Sequence, residues 1–217
     1  MMNDQLQKEK KKILTLRVKN NIEAGEWQKL IAALPTAEEA GISKSLLRKA
    51  FILGSEYLEE KEDWVNVIKY YNKARSMDPG TVNVFNKLVR AFNSFYLLFK
   101  EEFSKQDLQL LREPLQLILD FHTINFPKHQ KIIKAGYELV QKIDYQLKYK
   151  AIDKIESAAS FRVQQIHDAI YEDMTFEQLQ SEFARIIEPT VRDLLDEKEK
   201  EKKKNKKVKS KKGKKKK

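Results

Sequence analysis

The sequence predicts an all-α protein of antiparallel helical hairpins, followed by a helical C-terminal region and a lysine-rich tail. Apolar residues recur every three or four positions along most of the chain, and no stretch long enough for a strand alternates with period two. Only 6 Gly and 5 Pro occur in 217 residues, too few for the many turns of a β protein. The few strong breakers, among them Gly25, Pro35 and Asp78-Pro79-Gly80, cut the chain into helix-length segments. The length suits one or two domains and is enough to bury a real core.

A first helix is expected over residues 5–24, stopped by Gly25. A second opens at Glu26 and is expected to end at Leu34-Pro35, because proline lacks the amide that a helix interior needs. Helices follow over 43–61, 63–77 and 81–103, the last two separated by Asp78-Pro79-Gly80. Ser104-Lys105-Gln106-Asp107 reads as a capping box, with the Asp107 side chain returning to the Ser104 amide. The helix it opens carries Pro114, where a kink is expected, and stops before Pro127.

From Lys128 to Glu172 the one interruption is Gly136. Ile132, Gly136, Leu139, Ile143, Leu147, Ala151, Ile155, Ala158, Ile166 and Ile170 keep spacings of three, four and eight. Unbroken, this helix would be about 67 Å long; a break near Ser157–Ser160 is the alternative. Thr175-Phe176-Glu177-Gln178 is another capping-box start, and Pro189 interrupts the helix that it opens. The expected divisions are 1–103 (hairpins), 104–196 (C-terminal helices packing on or extending them) and 197–217 (the tail).

The formal charge of +11 is entirely local. Residues 197–217 hold 14 Lys and 3 Glu, which leaves 29 basic and 29 acidic groups in residues 1–196. Apolar residues nearly vanish in this tail, so it cannot offset its ordering entropy by burial and is expected to be disordered. Fourteen lysines without arginines or aromatics give charge but neither bidentate contacts nor stacking. Contact of Lys202, Lys203, Lys204, Lys206, Lys207, Lys211, Lys212, Lys214 and Lys215 with nucleic acid is therefore expected to be non-specific. No lipidation signal or apolar anchor accompanies them, and the N-terminus lacks the apolar stretch of a signal peptide. A cytoplasmic setting, or a nuclear one where the source has a nucleus, is expected, and a membrane partner is not.

Two windows resemble each other. Glu23-Ala24-Gly25-Glu26-Trp27-Gln28-Lys29-Leu30-Ile31 aligns with Glu60-Lys61-Glu62-Asp63-Trp64-Val65-Asn66-Val67-Ile68, a period of 37 residues from Trp27 to Trp64. Such a period points to stacked helical hairpins. Within the second copy, Leu53-Gly54-x-x-Tyr57 leads to Val67-x-x-x-Tyr71-x-x-Ala74-x-x-x-x-Pro79. This resembles a tetratricopeptide repeat, best over residues 47–80, in part over 14–34 and 82–93, and not beyond. It departs from that pattern by one extra residue between Tyr57 and Asp63, and by Val67 in place of a small alanine.

The resemblance implies a packing set of Trp27, Leu53, Gly54, Tyr57, Trp64, Tyr71, Ala74 and Pro79, with Gly54 allowing close helix approach. It also implies a concave face formed by first helices that binds a peptide or protein surface. The positions facing it would be Arg48, Phe51, Ser55, Leu58 and Glu59, then Asn83, Asn86, Arg90 and Asn93. Asn and Arg suit the backbone groups of an extended peptide. Phe51 and Ser55 stand where a carboxylate clamp would want Lys and Asn, which argues against a chaperone-tail adaptor. The other reading of Asn83, Asn86 and Asn93 is a solvated polar helix face.

Catalysis is not expected. Without cysteine there is no thiol nucleophile, disulfide or thiolate metal site. No two of His122, His129 and His167 have i, i+4 ligand spacing, so neither metal nor cofactor is expected. His167-Asp168 with Glu172 reads as a solvent-facing polar patch, and no phosphate-cradling glycine loop occurs. Phe92, Phe95, Tyr96, Phe99 and Phe103 with Leu97 and Leu98 are read as core, or failing that as an oligomer or client interface. The expected function is that of a non-enzymatic adaptor binding a protein or peptide. The alternative is a nucleic-acid- or ribosome-associated protein tethered by its tail. A homo-oligomer through a coiled coil over 128–172 is a third option, although its spacing is not a clean heptad.

Overall fold

The computed structural model describes residues 2–150 and 159–174, with side chains from Gln5 onward. Eight α-helices and one 3-10 turn occur among the described residues, and no strand does. The first hairpin joins α1 (Met2–Glu23) to α2 (Trp27–Glu39), and the second joins α3 (Lys44–Glu60) to α4 (Trp64–Met77). Next come α5 (Val82–Phe99), packed on α4, and α6 (Lys105–Asn125). The 3-10 turn Pro127–His129 leads into α7 (Gln130–Tyr149), and α8 (Ser160–Glu172) lies against α4 and α6. Residues up to Asp173 pack as one unit across the expected division at 103/104, and of the second, Met174–Lys217, only Met174 is described.

The 37-residue correspondence is a correspondence of backbone. Gly25 has φ +66° and its counterpart Glu62 has φ +56°. The next residues, Glu26 (φ −84°, ψ 67°) and Asp63 (φ −82°, ψ 66°), are superposable in torsion. Each turn closes with the same bond: Glu26 N–H donates to Asn21 O at 2.9 Å and Asp63 N–H to Leu58 O at 3.1 Å. Trp27 and Trp64 then open their helices half-buried, packed on the core. One copy fills the left-handed position with glycine and the other forces a glutamate into it.

Several boundaries follow the expectation. Ser43 and Asp63 cap α3 and α4 by accepting from Leu46 N–H and Asn66 N–H, and the Ser104/Asp107 capping box forms. Others differ. α2 runs through Pro35 to Glu39 rather than ending there, because Ala37 continues beyond the proline the buried face of Leu30, Ala33 and Leu34. α5 stops at Phe99, not at 103. Phe103, fully buried, and Leu108, also fully buried, occupy the two positions of a hydrophobic staple at the start of α6.

The continuous helix over 128–172 does not form: α7 ends at Tyr149, and Lys150 is extended (φ −74°, ψ 130°). Residues 151–158, the capping-box start at 175–178, Pro189 and the tail lie outside the described residues. α5 and α6 run antiparallel, with Phe85 near the start of one stacked on His122 near the end of the other, at 3.6 Å between ring centroids. Phe92, Phe95, Tyr96 and Phe103 are buried as expected of core, while Leu97 and Leu98 on the same helix are exposed.

A polar chain seats the end of α8. Asp173 accepts from Asn72 Nδ2 at 3.0 Å and pairs with Lys73 at 3.5 Å, and Lys73 also pairs with Glu38 of α2 at 2.8 Å. Burial raises the Asp173 pKa, with Lys73 opposing the shift. Asn72 Oδ1 in turn accepts from the buried Arg75 at 3.1 and 2.8 Å. Three helices are thereby tied by groups that would be costly to leave unpaired.

Candidate functional site

The face expected between the first helices is assembled in part. Phe51 and Ser55 do not belong to it. Phe51 is 1% exposed, with its ring 5.2 Å from Tyr70, and Ser55 is fully buried, its hydroxyl donating to Phe51 O at 2.8 Å. Both are core, because the Phe51 face of α3 turns toward α4. Leu58 is buried as well. Arg48 is engaged, with one guanidinium nitrogen 2.8 Å from Asp78 and another donating to Thr81 at 2.7 Å. It fastens α3 to the turn before α5 instead of presenting itself to a ligand.

What remains is a strip along α5. Asn83, Asn86, Arg90 and Asn93 follow at spacings of three, four and three, so they share one helix face. Asn83 and Arg90 are exposed, Asn86 and Asn93 half-buried, and no side-chain hydrogen bond or ion pair engages any of them among the described residues. Beside the strip, Lys87 pairs with Glu56 of α3. Tyr71 lies beneath, its pKa raised by burial and by the neighbouring Glu59 and Glu56 charges.

A second concavity, which sequence reasoning missed, opens between α5 and α7. Its volume is about 800 Å³, and its walls include Tyr96, Lys100, Lys142, Tyr145, Gln146 and Tyr149. Gln146 braces it by accepting from the Tyr96 hydroxyl at 2.9 Å while donating to the Lys100 carbonyl. Tyr145 and Tyr149 are 68% and 64% exposed, and their rings lie 4.6 Å apart. Their i, i+4 spacing was the available signal; it reads as ordinary amphipathic pattern until α7 is seen to stop at Tyr149.

The packing residues stand between helices. Ala74 and Tyr71 are fully buried, and Leu53, Tyr57 and Trp64 pack on the core half-covered. Pro79 sits in the turn after α4. Gly54 is buried, yet a Cβ there would meet Ile31, Tyr70 and Leu34 at 3.5–3.7 Å, ordinary contact distances. Helix approach at this point therefore does not demand glycine, contrary to expectation. Gly136, read only as a weak interruption, is the position that does: a Cβ would lie 2.2 Å from Leu119 Cδ2.

The histidines are distributed structurally. His122 is fully buried and stacked on Phe85, with Phe126 and His129 nearby, and neither ring nitrogen has a hydrogen-bond partner. Burial, with the Arg75 and His129 charges, lowers its pKa to about 3 and keeps it neutral. His167 lies 3.7 Å from Glu113 and 3.4 Å from Asp168 and is half-buried rather than fully solvent-facing. No group of three or more His, Cys, Asp or Glu able to hold a metal occurs among the described residues. No described helix is long and apolar enough to cross a membrane.

No protein-family model matches the chain, and neither a curated protein nor a solved structure matches it.

Proposed function

We propose that this chain is a non-enzymatic interaction module, a tetratricopeptide-like array whose binding surface is centred on α5. The observation that carries the reading is the strip Asn83, Asn86, Arg90 and Asn93, whose donors and acceptors are unused within the described residues. Three amides and a guanidinium on one helix face offer paired donors and acceptors to the backbone of an extended peptide or to a polar protein surface. The tyrosine-lined groove on the α7 side supports the same reading, since tyrosine supplies contact area with little side-chain entropy to lose. The repeated turn at Gly25 and Glu62 supports the hairpin-array part.

Tethering to nucleic acid through the lysine tail is the second reading, and it rests on the charge of residues 197–217. The test is a binding measurement with the client recovered by the full chain. The double variant Asn86→Ala/Arg90→Ala should weaken it about tenfold or more while leaving thermal melting unchanged. Unchanged affinity would remove the α5 strip from the account.

A further inference from the structure

The outward face of α1 carries a pattern that the α5 surface does not absorb. Its inward residues Leu14, Val18 and Asn21 are buried in the bundle. On the opposite side Leu6, Ile13 and Leu16 stand 64%, 66% and 60% exposed. Ile13 follows Leu6 by seven residues and Leu16 follows Ile13 by three, the a, a and d positions of a heptad. Glu9 takes the intervening d position and Asn20 the next a, both exposed. In this register the flanking e and g positions are Lys10, Lys12, Arg17 and Lys19. All four are exposed, and none forms an ion pair among the described residues. Leu14, Val18 and Asn21 fall at b and f, so the face toward the bundle and the heptad face lie on opposite sides of one helix.

We propose that this face is one strand of a heterotypic coiled coil. Its partner is an amphipathic helix of another protein, with aliphatic residues at a and d and Asp or Glu at e and g. The flanking charges decide the choice of occupant. In a pair of identical helices, g and e positions of the two strands meet, which sets Lys12 and Lys19 against Lys10 and Arg17. That repulsion selects against a second copy of the chain, while an acidic helix turns the same contacts into ion pairs. Asn20 at an a position fixes register and strand number at some loss of stability. Leu6 to Asn20 spans only about two heptads, so the pair is weak, reversible and sensitive to salt. The surface is separate from α5, so it stands or fails independently of the function proposed above.

The test titrates the full chain with a synthetic three-heptad helix bearing Ile at a, Leu at d, Glu at e and g, and Asn opposite Asn20. A scrambled peptide of identical composition controls for attraction to the lysine tail. Calorimetry should give saturable one-to-one binding to the heptad peptide only. The variant Ile13→Gln/Leu16→Gln keeps every charge and should bind about tenfold more weakly or worse. The variant Lys10→Glu/Lys12→Glu/Arg17→Glu/Lys19→Glu should lose the acidic helix and gain one with Lys at e and g. All six positions are exposed, so thermal melting should not change. Equal binding of the scrambled peptide, or an unaffected Gln variant, would reduce the interaction to bulk charge and overturn the proposal. So would binding of phosphatidylserine vesicles by α1 in place of the peptide, or a homodimer in sedimentation that the Gln variant abolishes.

Discussion

The α1–α4 half and the α5–α8 half of the described fold are both antiparallel helices, yet they are assembled by different means. In the first, two hairpins share one turn, down to a left-handed residue at Gly25 and Glu62 and the same closing hydrogen bond. In the second, no turn recurs. Phe85 of α5 stacks on His122 of α6, and α7 approaches α6 at Gly136, against Leu119. A shared turn leaves its trace in sequence as a period, whereas packing through rings of unequal size leaves none. The fold can accordingly be perturbed at places that separate the two modes.

The largest effect should come from acid, and should fall on the second half. His122 has a folded pKa of about 3 against an ordinary value of 6.5. Below pH 6.5 the unfolded chain binds a proton that the folded chain refuses, so this contribution is complete above pH 6.5 and is lost as pH falls toward 3. The slope is about 1.4 kcal/mol per pH unit for one proton. Denaturant titrations between pH 7 and 4 should show it, and His122→Phe should remove about one proton's worth of the slope. A variant with the parent slope would place the acid sensitivity elsewhere.

Next in size is Gly136→Ala, which places a methyl against the buried Leu119 and should cost about 2 kcal/mol, read as a lowered urea midpoint. The matching change in the first half, Gly54→Ala, meets only ordinary contacts and should be neutral or stabilising by up to about 1 kcal/mol. Equal losses at the two glycines would erase the distinction drawn between the halves. Smallest is Glu62→Gly, which relieves a left-handed glutamate and should raise stability by about 1 kcal/mol.

Much of this fold is legible in the residues. Ser43, Asp63, Ser104 and Asp107 announce their caps because a short polar side chain before an apolar run has little else to do. Trp27 and Trp64 announce the repeat. Pro35 misleads, since local propensity counts the lost amide but not the buried face that Ala37 continues beyond it. Phe51 and Ser55 mislead for a related reason. A family pattern assigns them to a groove, while the side of α3 that carries them turns inward against Tyr70. Asn83, Asn86, Arg90 and Asn93 share one face of α5 because their spacing of three, four and three follows the helix period. The α5/α7 groove depends on where α7 ends, and helix spacing alone does not mark the break at Lys150.

The most direct measurement of the central claim is a nuclease-treated recovery of partners from source lysate, comparing the full chain with one ending at Asp196. An interaction module built on α5 should retain a near-stoichiometric protein in both forms, and lose it in the Asn86→Ala/Arg90→Ala variant. Partners recovered only by the full chain, and abolished by nuclease, would contradict that account and assign the binding to the lysine tail.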